Sequence, residues 1–308
     1  MRVGVIVPVQ GWAPYLAEAL DSVLAEGPEA VVVVDDGSRT PIALHPDHTA
    51  RCALVRRPER GGPAGARQTG LGALDTDVIA MCDADDAWHP GFLEAAVGAL
   101  HDADVAVGHP EIVGPDNRPT GERWPVIPAG PFVPSFETNA IATPAVVLRR
   151  DALERAGGFA PRPAAAAPLS AAAPLSAAAP LSAAAPLDRA EDWDLWLRLR
   201  AAGARFAGAP DALVAVRRRA GALTSDVAAL ARAQLTVHSR HASLATDEER
   251  ARVEAADLRA LAAGLVRERR FGEARAVLRA ADAARPRRAL LAIPLARRAL
   301  GRRDPYRR

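Results

Sequence analysis

Acidic residues that follow apolar runs are the best candidates for chemistry in this sequence. The run 78–82 leads into Asp83-Ala84-Asp85-Asp86, and the run 30–34 leads into Asp35-Asp36-Gly37-Ser38. Carboxylates two positions apart at a strand end can share one crevice, and their oxygens suit Mg²⁺ or Mn²⁺, which also bridge phosphates. Helix capping or a solvated turn explains the first cluster equally well. The second cluster suits a carboxylate that accepts hydrogen bonds from a nucleotide base or ribose, but a turn closed by aspartate and glycine is the simpler interpretation.

Two further charged positions suit the same kind of site. Arg67 follows the glycine-rich turn 61–65 near the start of a predicted helix, where a fixed guanidinium suits a diphosphate. Glu191 and Asp192 open a tryptophan-rich helix. Acids favour a helix N-terminus, which is the simpler explanation, but a carboxylate sheltered by tryptophan also suits a general base. The glycine-rich turn 61–65 matches neither the P-loop motif nor the dinucleotide-binding motif, so both of those nucleotide-binding folds lose support.

The elements that must position these residues alternate between strand and helix. Hydrophobic periodicity predicts strands at 3–9, 30–34, 52–55 and 78–82, helices at 15–25, 66–74, 91–100 and 191–202, and later strands beginning at 105, 141 and 213. This alternation predicts the α/β class, with a mostly parallel sheet flanked by helices. Ligands of such sheets bind beyond the carboxyl ends of the strands, and both acidic clusters fall at that edge.

The 308-residue chain is predicted to have three parts: a domain at 1–225, a helical extension at 226–284 and a basic tail at 285–308. From about 163 to 188 the sequence Ala-Ala-Ala-Pro-Leu-Ser repeats. A proline in every copy blocks a continuous helix, so we expect a flexible loop. Residues 262–286 are similar to one tetratricopeptide hairpin with Gly272 at its bend, which predicts packing on the domain or on a protein partner.

Composition limits the function classes. The net charge is +2, and all 39 cationic residues are arginine, so no charge-driven role in nucleic-acid binding is expected. Two cysteines form no disulfide framework, and no signal peptide or spanning segment is recognised, so we expect a cytoplasmic protein. The arginine-rich tail fits a peripheral contact with an anionic membrane at its inner face or a solvated segment, equally well.

Seven short motifs follow one another along the chain: Val5-Ile6-Val7-Pro8-Val9, Ala19-Leu20-Asp21-Ser22-Val23-Leu24, Val33-Val34-Asp35-Asp36-Gly37-Ser38, Gly65-Ala66-Arg67-Gln68, Asp83-Ala84-Asp85-Asp86-Ala87-Trp88, Gly157-Gly158-Phe159, and 191–199. Taken together and in this order, they resemble those of the family 2 glycosyltransferases, which have the GT-A fold. The resemblance covers roughly residues 1–225. It implies inverting transfer of a sugar from a UDP- or dTDP-linked donor to the hydroxyl of a glycan or lipid-linked acceptor, in cell-envelope or polysaccharide synthesis, with Mg²⁺ or Mn²⁺.

The resemblance also implies roles for individual residues. The implied donor-binding residues are Pro8, Val9, Gln10, Asp36, Arg67, Asp83, Ala84 and Arg219. Among them, Asp36 binds the pyrimidine base, and Arg219 belongs to the segment 217–219 that closes over the diphosphate. Asp85, with Asp83, holds the metal and the ribose. Asp192 is the general base and Glu191 supports it. The alternative is an inactive nucleotide-sugar-binding or scaffold protein, although such a relative is expected to lose Asp85 or Asp192.

Overall fold

The computed structural model describes residues 1–159, 187, 189–218 and 226–283. These residues form two compact units that divide between Ser225 and Asp226. Arg219, the basic tail 285–308 and, apart from Leu187, the predicted repeat loop lie outside the described residues.

The first unit is built on one sheet with helices on both faces. Its strands are β1 (Val3–Val9), β2 (Ala30–Asp35), β3 (Ala53–Arg56), β4 (Val78–Met81), β5 (Ala87–Trp88), β6 (Val105–Val113), β7 (Gly130–Phe132), β8 (Val146–Arg149) and β9 (Phe206–Arg217). Its helices are α1 (Leu16–Ala25), α2 (Pro46–Thr49), α3 (Gly62–Ala73), α4 (Phe92–Ala99), α5 (Arg150–Arg155) and α6 (Glu191–Ala201). The α/β class is therefore confirmed.

The strand order is β3-β2-β1-β4-β8-β6-β9-β5, and β7 also pairs with β9. Strands β3, β2, β1 and β4 are parallel, as predicted. In the other half, β8 runs antiparallel to both of its neighbours, and β5 and β7 run antiparallel to β9. The expectation of mostly parallel pairing thus holds for the first half of the sheet, and the second half is mixed.

The side chains of strand β1 alternate between two hydrophobic cores, one on each face of the sheet. Successive side chains of a strand point to opposite faces of the sheet. Accordingly, Val5 and Val7 join a core that includes Leu20 of α1 and Phe92 of α4. Ile6 joins the core on the other face, which includes residues of α3 and α6. With both faces covered, the loops at the carboxyl edge of the sheet are left to form a site.

Several elements differ in extent from the sequence-based expectation. Helix α3 begins at Gly62 rather than at residue 66, because Pro63 sits in its first turn, where proline needs no amide hydrogen bond. The segment expected as a strand from 141 includes one turn of 3₁₀ helix, Thr143–Ala145, before β8. Strand β9 begins at Phe206, seven residues before the predicted start.

The described part of the second unit contains α7 (Val227–Arg240), α8 (Asp247–Arg267) and α9 (Phe271–Ala283). A capping box between Thr246 and Glu249 starts α8. The bend of the predicted hairpin lies at Arg269, which has a positive φ of 62°, and Gly272 is already inside α9, so its assignment to the bend is wrong. None of the helices among the described residues has the length and apolarity needed to cross a bilayer.

Candidate active site

The acidic loop, defined as Asp83–Asp86, follows the carboxyl end of β4. The Asp86 N–H donates to the Asp83 carbonyl at 3.1 Å, which closes the loop. The Asp86 carboxylate is buried and accepts a hydrogen bond from Arg217 N at 2.8 Å. Burial, together with the charges of Asp83 and Asp85, raises the pKa of Asp86 well above its usual value. Asp86 thus anchors the loop to β9, while Asp83, Ala84 and Asp85 stay half-buried at the edge of the sheet.

Arg67 of α3 joins the acidic loop to the start of α6. Its Nη2 donates to Asp83 Oδ1 at 2.9 Å, and its Nη1 donates to Glu191 Oε1 at 3.1 Å. Burial alone would lower the pKa of Arg67, but Asp83 and Glu191 outweigh it and raise that pKa. The buried Nε has no hydrogen-bond partner among the described residues. One guanidinium therefore bonds to a carboxylate on each side of the crevice.

Glu191 and Asp192 occupy the first turn of α6, directly after Ala190, whose φ is 56°. Asp192 Oδ2 accepts from Asn139 Nδ2 at 3.2 Å and from Thr143 Oγ1 at 3.4 Å. Burial raises the pKa of Asp192. Burial, and to a smaller extent the charge of Asp192, raises the pKa of Glu191 to about 7, although Arg67 acts in the opposite direction. A carboxylate pair that still holds a proton near neutral pH is suited to proton transfer.

A small cavity lies beside this pair of buried carboxyl groups. Its lining is largely apolar and consists of Ala64, Arg67, Met81, Thr143, Phe159, Glu191, Asp192, Leu195 and Trp196. An apolar surrounding disfavours the charged form of a carboxyl group. The indole Nε1 of Trp196 is buried here and, like Arg67 Nε, lacks a partner within the described residues.

Asp36 lies at the same edge of the sheet, at the end of β2. Its carboxylate accepts from Gly61 N and Gly62 N, both at 2.8 Å, and Arg57 Nε lies 2.9 Å from Oδ1. The residue is 3% exposed. Asp36 therefore holds the turn that begins α3, and its direct bond to a nucleotide base stays a prediction.

The predicted base-pocket backbone lies next to Asp36. The Asp36 N–H donates to the Val9 carbonyl at 2.9 Å, where β1 ends. Pro8 is half-buried and Gln10 is exposed. The Gly11 N–H donates to Ser38 Oγ at 2.8 Å, which joins the loop after β1 to the loop after β2.

The two described residues of the predicted basic segment, Arg217 and Arg218, lie in different surroundings. Arg217 is buried with its guanidinium turned inward, Arg218 pairs with Glu122 at the surface, and Arg219 lies outside the described residues. Sequence reasoning also missed Asn139 and Thr143 as partners of Asp192. They lie in an irregular segment without a motif, and no pattern in the sequence marks them.

The architecture and the site together define a GT-A fold. Among solved structures, the chain is similar to Staphylococcus aureus TarS 1-349 in complex with UDP-GlcNAc, with a TM-score of 0.55 and 14% identity over 94% of this chain and 93% of that chain. It is also similar to the mannosyltransferase PcManGT from Pyrobaculum calidifontis in complex with GDP-Man and Mn²⁺, with a TM-score of 0.51 and 19% identity over 92% and 76% of the two chains. At such identities the likeness shows the fold.

The family follows from the sequence match. The model of glycosyl transferase family 2 matches residues 4–157, which is half of the chain, and the chain belongs to this family. The predicted family is thereby confirmed.

Two curated relatives show how far the likeness extends. The pre-mycofactocin glycosyltransferase of Mycobacterium tuberculosis is 30% identical over 224 residues, covering 69% of this chain and 42% of that protein. The succinoglycan biosynthesis protein ExoW of Rhizobium meliloti is 36% identical over 125 residues, covering 37% and 39% of the two chains. The chain thus matches less than half the length of either relative.

Proposed function

We propose that this protein is an inverting glycosyltransferase that moves a sugar from a nucleotide diphosphate donor to an acceptor hydroxyl. One observation carries the proposal: Arg67 links Asp83 on the donor side to the Glu191–Asp192 pair, so both acidic motifs face one crevice. Direct displacement requires the base and the leaving group to flank the sugar. Carboxylates in the loop after β4 and at the start of α6 support such an arrangement.

For the donor we propose a UDP- or dTDP-sugar. A structural neighbour binds UDP-GlcNAc, which supports a uridine donor, whereas another binds GDP-Man. For the acceptor we propose a glycan or lipid-linked saccharide of cell-envelope or polysaccharide synthesis, since one relative is named for succinoglycan biosynthesis. A protein partner of the helical extension, membrane contact by the basic tail and a cytoplasmic location stay predictions.

For the metal we propose Mg²⁺ or Mn²⁺ held by Asp85 and Asp83. Half-buried carboxylates supply the hard oxygen ligands that these ions prefer. Nowhere in the described part of the chain are three His, Cys, Asp or Glu side chains grouped to hold an ion. When bound, the ion supplies charge neutralisation for the leaving diphosphate.

In the proposed reaction, Asp192 takes the proton of the acceptor hydroxyl. The acceptor oxygen forms a bond to the anomeric carbon, while the bond from that carbon to the diphosphate oxygen breaks on the opposite face. Asn139 and Thr143 hold Asp192 Oδ2 in a fixed orientation. Arg67 keeps the two acidic sides of the crevice from repelling each other, and preorganised charges of this kind stabilise the transition state.

A ligand panel tests the proposal. UDP, dTDP, GDP and their common sugar conjugates are tested for thermal stabilisation with and without Mn²⁺, because a ligand of the native state raises its melting temperature. We expect stabilisation by a pyrimidine diphosphate that increases with Mn²⁺. The anomeric configuration of the product, read by NMR, then checks inversion. A panel without any stabilising nucleotide would refute the donor site.

A further inference from the structure

Arg217 is the last residue of β9 and has one of the most deeply buried side chains near the site. Its side chain is 1% exposed, although arginine is rarely fully buried unless it is paired. The guanidinium and the backbone of this residue bond to several separate segments of the first unit. The number and direction of these bonds suggest a function for Arg217 other than contact with the donor.

Two of the bonds hold the acidic loop. Arg217 N donates to Asp86 Oδ1 at 2.8 Å, and Arg217 Nε donates to the carbonyl oxygen of Asp85 at 2.9 Å. The residues held are therefore the proposed metal ligand Asp85 and its neighbour. A hydrogen bond to the carbonyl fixes the backbone from which the Asp85 side chain projects.

The remaining contacts hold the guanidinium from the other side. Nη2 donates to Glu18 Oε1 at 2.9 Å, and Nη1 bonds to Asn117 Oδ1. The Cζ atom lies 4.0 Å above the ring centre of Tyr15. Only a planar group with several donors in a fixed fork satisfies all of these contacts together, and the single ammonium of lysine does not.

We infer that Arg217 is a positioning residue that holds Asp85 for metal binding, so that it sets the metal affinity of the donor site without touching the donor. This inference rests on the proposed function. It differs from the sequence-based expectation, in which the segment 217–219 closes over the diphosphate. A guanidinium bonded to Asp85, Glu18 and Asn117 has its donors directed at the protein itself.

The matched variants are Arg217→Lys and Arg155→Lys, which make the same change at two arginines. Arg155 is 51% exposed, pairs with Asp151 at the surface and has no implied role in the site, so it serves as the control. A second variant, Asn117→Gly, removes one partner of Arg217 and keeps the left-handed backbone of φ 63° at that position. It tests the same network if the Arg217 variant folds poorly.

Three measurements are made on the full chain: the Mn²⁺ concentration for half-maximal UDP binding, the UDP affinity without Mn²⁺, and hydrogen exchange of the amides of the acidic loop. For Arg217→Lys we expect a Mn²⁺ requirement raised on the order of tenfold, as is usual when a residue that supports a metal ligand is changed. We also expect unchanged metal-free UDP affinity and faster exchange in the loop. Asn117→Gly should change the same quantities in the same direction, and Arg155→Lys should change none.

Equal losses of UDP affinity with and without Mn²⁺ would overturn the inference and assign Arg217 to the diphosphate. Unchanged Mn²⁺ requirement and unchanged loop exchange would also overturn it. If the wild-type protein binds no nucleotide diphosphate, the proposed function fails. The exchange measurement then still reports by itself whether Arg217 holds the loop.

Discussion

Arg67 and Glu191, which lie 124 positions apart in sequence, form a buried ion pair between helices α3 and α6 with Nη1 and Oε1 3.1 Å apart. Their side chains are 5% and 13% exposed, so salt screens the pair only weakly. The same guanidinium also bonds to Asp83. The charge of Asp83 therefore affects how strongly Glu191 and Asp192 on α6 hold a proton.

Replacing Arg67 tests this relationship through stability. Arg67→Met leaves Asp83 and Glu191 without their shared cation, and removing one partner of a buried pair costs about 3–5 kcal/mol. We expect a loss of this order in the free energy of unfolding, measured in urea at pH 8. Arg155→Met is the control, since it breaks an exposed pair with Asp151 and should cost less than about 1 kcal/mol. Equal losses for both variants would show that the Arg67 pair is not buried in solution.

The pH dependence of stability tests the raised pKa of Glu191. This pKa is about 7 in the folded protein, against an ordinary value of 4.5. Between these pH values the folded protein keeps a proton on Glu191 that the unfolded chain releases. The stabilisation that this proton gives to the folded protein is complete below pH 4.5 and is lost as the pH rises through about 7. Glu191→Gln removes the dependence.

The measurement for Glu191 is the free energy of unfolding at pH 5 and pH 8. We expect the free energy of unfolding of Glu191→Gln, relative to that of wild type, to be higher at pH 8 than at pH 5. Glu94→Gln, at an exposed position of α4, should follow the wild-type profile at both pH values. Parallel profiles for wild type and Glu191→Gln would contradict the raised pKa.

Asp192→Asn tests the proposed general base. The amide keeps nearly the same shape but does not accept the acceptor proton, and positioned proton transfer contributes about 10²–10⁴-fold to rates. We therefore expect a loss of transfer rate of that order with UDP affinity retained, measured by turnover and by thermal shift. Asp151→Asn, at an exposed position, should leave both quantities unchanged. A parallel loss of UDP affinity would place Asp192 on the donor side instead.

Two glycines test the packing of the helical extension. A Cβ at Gly264 would lie 2.5 Å from the backbone nitrogen of Ala228, whereas one at Gly272 would meet nothing within 4 Å. Gly264→Ala should therefore lower the stability of this unit by about 1–3 kcal/mol through overpacking, despite its better helix propensity. Gly272→Ala should stabilise it by up to about 1 kcal/mol. Thermal unfolding followed by circular dichroism distinguishes the two, and a stabilising Gly264→Ala would mean that α7 and α8 are not in close contact.

Some structural differences from the sequence-based expectation have a common cause. Strands β5 and β7 are two and three residues long, too short for an alternating pattern, and their antiparallel pairing with β9 depends on distant residues. Glycine is the usual residue at positive φ, which favours Gly272 as the bend of the predicted hairpin. Arg269 adopts that conformation instead, which residue type alone does not indicate.

The sequence by itself determined the α/β class and the family, and it identified Asp83, Asp85, Glu191 and Asp192 as candidates. Hydrophobic periodicity and strand-end motifs are local properties that a single segment expresses without the rest of the chain. Only the tertiary structure decided which arginine faces which carboxylate: Arg67 bridges Asp83 and Glu191, and Arg217 turns inward to the acidic loop. The partner of a buried charge is set by segments far apart in sequence, which come together only when the sheet and its helices have packed.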